Sequence, residues 1–128
     1  MVNKAVYQIL SNNNELKSFV GNKIHPIVMP ENTQAPCLVF MTDSIVPEYV
    51  KGHAVIDSSI VTIIIFSREY VESVNILEKA RAALELKTGT FNGVQIQSSR
   101  IQKMEEGYDV ESDTYFQKII LEIKTSKQ

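Results

Sequence analysis

Ser59-Ile60-Val61-Thr62-Ile63-Ile64-Ile65-Phe66 is the most apolar run in the sequence. Its β-branched and aromatic residues predict a central strand. Ile60, Thr62, Ile64 and Phe66 share one face of that strand and Val61, Ile63 and Ile65 the other, so both faces need cover. At Ser67 the period changes to that of a helix: Ser67 is placed to cap, and Glu69 and Glu72 suit the first turns. Tyr70, Val74, Leu77, Ala80 and Leu84 then share a stripe, with Lys87 and Gly89 near the end. A single helix layer covers one sheet face, which leaves Val61, Ile63 and Ile65 to be explained.

Upstream, Asn3 is placed to cap a short helix with Val6, Ile9 and Leu10 on one face, and Asn12-Asn13-Asn14 ends it. Asn14 then caps a second short helix carrying Leu16, Phe19 and Val20, with Gly21 at its C′ position. Residues 20–40 form a proline-punctuated arm: Pro26, Pro30 and Pro36 fix their own φ and bias His25, Met29 and Ala35 toward extended backbone. The arm either wraps its own domain as a connector or crosses between layers or subunits. It runs into a strand at residues 37–42, and Pro47 and Gly52 then bracket a polar excursion.

Downstream, Thr90-Phe91-Asn92-Gly93 reads as a turn into a strand at residues 94–98 that alternates apolar and polar, so one of its faces should be wet. An acidic loop is expected at residues 104–113, and a last strand at 114–124 alternates Ile119, Leu121 and Ile123 with charged positions. The end through Gln128 is expected to fray. The order helix, helix, arm, strand, strand, helix, strand, strand predicts one α+β domain over residues 1–128. Its sheet is mostly antiparallel with about four strands, and one main helix and the short N-terminal helices pack largely on one face. The second face is buried either by the N-terminal helices and arm or by another copy of the chain.

Composition narrows the function classes. At 128 residues and 44% hydrophobic the chain has the size and apolar content of one ordinary domain. With 13 basic and 15 acidic residues it has no broad attraction for phosphate, which argues against sequence-independent nucleic-acid binding. The lone Cys37 opens an apolar strand, as a buried thiol in a reducing compartment would. The first residues lack the apolar core of a signal peptide and no run approaches the ~18 apolar residues of a membrane span, so a soluble protein made in the cytoplasm is expected.

The reactive side chains form no recognisable constellation. His25 and His53 are the only histidines, and Asp57, four residues past His53 on extended chain, would lie about 13 Å from it. Asp43, Ser44 and His53 hold the residue types of a triad without a strained serine turn. Lys87-Thr88-Gly89 follows a helix rather than opening one, so it reads as a helix stop. Glu105, Glu106, Asp109, Glu111 and Asp113 lack the ligand spacing of a calcium loop. They read either as a solvated hairpin loop or as an electrostatic surface for a basic partner or a ring lumen, with Tyr108 and Tyr115 flanking it as anchors or packing groups.

The ordered set Ala5-Val6-Tyr7-Gln8-Ile9-Leu10, Leu16 to Gly21, Lys23-Ile24-His25-Pro26, Ala35-Pro36-Cys37-Leu38-Val39-Phe40, residues 61–67, Gly93-Val94-Gln95-Ile96-Gln97 and residues 115–123 resembles the phage tail completion proteins. That family is long catalogued as a domain of unknown function and is akin to tail terminators and head–tail joining proteins. The resemblance implies a structural subunit of the virion tail, made in the host bacterial cytoplasm. Such a subunit forms a homo-oligomeric ring, commonly a hexamer, at the head-proximal end of the tail. There it stops the tail tube and meets the head connector, with DNA passing a lumen without sequence-specific binding and with no membrane involved. It implies no catalytic residue, cofactor or metal. The expected subunit or partner contacts are Pro26 and Pro30 of the arm, Pro47 and Tyr49 of the excursion, Val61, Ile63 and Ile65 of the central strand, and Glu105, Glu106, Tyr108 and Asp109 of the acidic segment. A small α+β ligand-binding or regulatory module acting as a dimer, with a pocket on the sheet face opposite the helices, is the alternative. An enzyme would need His25, His53 or Cys37 to converge in three dimensions.

Overall fold

The apolar spacing of the first twenty residues gives two short helices, α1 (Val2–Ser11) and α2 (Asn14–Val20), in a computed structural model that describes residues 1–126. Lys127 and Gln128, the outermost residues expected to fray, lie outside the described residues, as do the side chains of His53 and Ala54. Asn13 rather than Asn14 caps α2, its Oδ1 accepting from the Leu16 N–H at 3.0 Å, and Gly21 ends it at φ 62. Six strands follow, with one helix among them: β1 (Ile24–Pro26), β2 (Cys37–Val50), β3 (His53–Ser67), α3 (Tyr70–Leu84), β4 (Gly89–Phe91), β5 (Val94–Asp109) and β6 (Thr114–Ser126).

The strands form one mixed sheet in the order β1-β2-β3-β6-β5-β4. Among the described residues only the β1–β2 pair is parallel. The α+β class therefore holds with six strands instead of four. Two extra strands are three-residue edge pieces, β1 from the arm and β4 from the expected turn, joined to β5 by Asn92 and Gly93, both at positive φ. The excursion and the acidic loop are the far ends of long hairpins: β2 runs on to Val50, and β5 carries Glu105 and Glu106 in register with β6.

The core lies between the sheet and the helices. Ile63 stands between Phe40 and Ile119, and Val61 next to Leu121, in rows packed under Ile76, Leu77, Ala80 and Leu84 of α3 and Val6 and Leu10 of α1. Val61, Ile63 and Ile65 are 1%, 0% and 0% exposed, so the face expected to await a partner is the one the helices bury. The opposite face carries Ile60, Ile64, Phe66, Phe116 and Ile120, all half-buried. Ser67 ends β3, and its hydroxyl accepts from the Glu69 N–H at 3.2 Å and donates to Glu72 at 2.6 Å, so it orders the start of α3 from just outside. The buried stripe of α3 is Ser73, Ile76, Leu77, Ala80, Ala83 and Leu84. Tyr70 is exposed and Val74 only half-buried, a small rotation from the expected stripe.

Candidate functional site

The two long hairpins end at opposite ends of the sheet, because the β2–β3 turn lies beside the Ser126 end of β6 and the β5–β6 turn beside Ser67 of β3. At the first end Lys51 and Gly52 both take positive φ, a two-residue turn that lets Val50 face His53 across the ladder. β1 pairs with residues 38–40, so from Met41 onward the outer edge of β2 has no partner strand among the described residues. Pro47, opposite Asp57, and two register shifts at Thr42/Ser44 and Glu48/Tyr49 break up that edge, devices that discourage strand addition. Large apolar groups stand exposed there, Val46, Tyr49 and Val50 at 60%, 65% and 54%, among the exposed polar Asp43, Ser44, Glu48 and Lys51. A cluster of large apolar groups on a hairpin end marks a contact surface.

At the second end the carboxylates separate by strand alternation. Glu105 lies opposite Lys118 on the open face, with Lys103 Nζ at 3.8 Å, whereas Glu106 lies opposite Gln117 on the helix side. Glu106 accepts from Gln117 Nε2 at 3.0 Å and from the Tyr70 hydroxyl at 2.8 Å. These two donors hold its carboxyl below the usual carboxylate range, and the same bond raises the Tyr70 phenol. Gln117 also donates to Ser73 Oγ at 3.2 Å, tying the strand to α3. Tyr115 stands between Tyr70 and Tyr108, with ring centroids at 5.6 and 5.2 Å in edge-to-face contact. Beyond them the turn is braced by Ser112 donating to Asp109 at 2.7 Å and by the Tyr108 hydroxyl donating to Asp113.

Because the Glu106 carboxyl titrates lower folded than unfolded, its bonds contribute stability above the unfolded carboxylate pKa, and that contribution disappears as pH falls through the folded value. An NMR pH titration should place Glu106 below an ordinary glutamate, and Tyr70→Phe should move it part of the way back. A midpoint at or above the ordinary range would contradict the assigned bonds.

A groove of about 690 Å³ opens where α1 meets the β1 edge, with Tyr7, Ile24, Ile27 and Phe40 as apolar walls and Lys4 and His25 among its polar groups. It lies at the sheet edge on the α1 side; on the open face, where a pocket was expected, a smaller hollow of about 250 Å³ is lined by Ile64, Phe66, Tyr108, Asp109, Phe116 and Lys118. Pro26 lines it, while Pro30 stands exposed farther along the arm. Ile27 sits at φ 67 in a three-residue turn closed by the Val28 N–H donating to Pro26 O at 2.7 Å, and its own N–H donates to Phe40 O at 2.8 Å. A β-branched residue in that region is strained. The turn holds the Ile27 side chain, 66% exposed, at the groove's rim.

The groups named for chemistry do not gather. His25 pairs with Val39 and His53 with Val50, eleven residues apart on β2, which is about 35 Å along the strand. Cys37 is buried, its Sγ 2.9 Å from Met29 Sδ, and burial pushes its pKa up, which disfavours the thiolate. Asp43 accepts from the Thr62 hydroxyl at 2.5 Å on the open face. Among the described residues no three of His, Cys, Asp and Glu form a metal-holding set, and no helix is long and apolar enough to cross a membrane.

A family model described as "Tail completion protein gp17" matches residues 4–125. A chain in the solved structure of the virion of a native gene transfer agent particle is similar at 13% identity, with a TM-score of 0.77 over 96% of this chain and 92% of that one. At that identity the likeness is one of fold. No curated protein matches the sequence.

Proposed function

We propose that this chain, which belongs to the tail completion protein gp17 family and is thereby a structural component of the phage tail, works as a ring subunit at the head-proximal end of the tail. There it caps the tube and presents a surface to the head connector. The observation that carries this reading is the division of the molecule into a helix-covered core and two unlike, opposed hairpin ends. One end exposes Val46, Tyr49 and Val50 beside the oppositely charged Glu48 and Lys51, and the other carries Glu105, Glu106, Asp109, Glu111 and Asp113. A subunit inserted between tube and connector needs distinct surfaces at its two ends. The tip suits the tube, because burying a tyrosine and two valines at a contact stabilises it by about 25 cal/mol per Å² of apolar area removed from water. The acidic end, unlike the tip, suits a surface that carries positive charge.

The half-buried Ile60, Ile64, Phe66, Phe116 and Ile120 add an open sheet face that assembly can cover. The experiment is native mass spectrometry over a dilution series, with negative-stain imaging of the same samples in the presence and absence of tail tubes.

A further inference from the structure

The groove between α1 and β1 has a lining without a single carboxylate. Lys4 carries its formal charge, and His25, Asn22 and Asn92 supply donors beside the Tyr7 and Phe40 rings. Among the described residues Lys4 takes part in none of the chain's ion pairs. The β5–β6 turn has the opposite character. Residues 104–113 hold five carboxylates and no cation, and at the apex Val110 is 81% exposed while Glu111 has no ion-pair partner among the described residues. The turn is held in shape by Ser112 with Asp109 and by Tyr108 with Asp113, so little ordering entropy remains to be lost on docking.

Within one chain the turn lies against the arm rather than in the groove: Ser112 and Thr114 share a small hollow with Met29, Thr33, Ala35 and Arg68, while Val110 and Glu111 stay exposed. We infer that the groove receives the residue 109–113 turn of a second copy of this chain, Val110 packing against the exposed Tyr7 and Ile27 side chains and the Glu111 carboxylate meeting Lys4. A contact between two different patches is heterologous, and repeated with a rotation that closes it builds a ring. The groove's volume is within the range of sites that hold a small ligand or a few side chains. The inference rests on the ring reading and supplies its lateral contact, leaving the β2–β3 tip free for the tube.

The test is a charge exchange. Lys4→Glu and Glu111→Lys change exposed side chains outside the core, and each alone places like charges at every contact, so each should weaken self-association about tenfold or more. An equimolar mixture should recover the wild-type assembly, since each groove then meets a turn of opposite sign; native mass spectrometry reads both. Where wild type assembles only on tail tubes, occupancy of the tube end is the readout. If wild type forms rings that neither reversal weakens, or the mixture fails to recover, the inference is overturned and the ring reading stands. Loss of tube binding by Lys4→Glu with self-association intact would assign the groove to a tube subunit and likewise overturn it. If wild type is a monomer at every concentration and never rings a tube, the ring reading itself fails.

Discussion

Ile63→Asp should unfold the chain, whereas Ile64→Asp, one residue on, should leave it folded. Ile63 is 0% exposed between Phe40 and Ile119 under the helices, with no donor beside it to satisfy a carboxylate. An unpaired charge there costs more than about 4 kcal/mol, a large share of the roughly 5–15 kcal/mol that holds an ordinary domain together. Ile64 points to the open face beside Lys118 and is only half-buried, so its carboxylate keeps water and a cation within reach. Far-UV circular dichroism and urea titration distinguish the two outcomes. An Ile63→Asp chain with a wild-type unfolding midpoint would contradict the burial of that face.

Tyr49→Ala should leave fold and self-association intact and remove tube-end binding. The ring is 65% exposed at the tip of β2, with no hydrogen bond within the chain among the described residues, so truncation disturbs no core contact. If the tip is the tube contact, a tyrosine at its centre is the residue type that carries such an interface, worth about 2 kcal/mol or roughly 30-fold per contact. In a ring the loss recurs at each subunit, so labelled Tyr49→Ala rings should disappear from tube ends at concentrations where wild-type rings saturate them. Undiminished binding by Tyr49→Ala combined with Val46→Ala would remove the tip from the tube contact.

The helices, the central strand and the Asn92-Gly93 turn were legible because each has a local signal: apolar residues at helical spacing, a β-branched run, and a dipeptide suited to positive φ. Which face of the central strand is buried was not legible from that strand, since both parities are apolar. The signal lay in β6, where Ile119, Leu121 and Ile123 keep one parity against Lys118, Glu122 and Lys124, and pairing Ile119 with Ile63 fixes the core side. Charge hid the hairpin ends. Glu105, Glu106 and Asp109 suggest a loop, yet a strand exposed at its end tolerates charge, and alternation places Glu105 and Glu106 on opposite faces. The β2 extension was masked by Pro47, which an unpaired edge accommodates. No local signal marked the groove, because it joins residues of α1, β1, β2 and the Asn92 turn that only the tertiary fold brings together.

Native mass spectrometry of the purified chain across a micromolar dilution series, with the same samples imaged by negative stain alone and on tail tubes, measures the ring directly. A closed oligomer, six subunits by the family resemblance, is expected in solution or at one end of each tube. A monomer at every concentration that leaves tube ends bare would contradict the account.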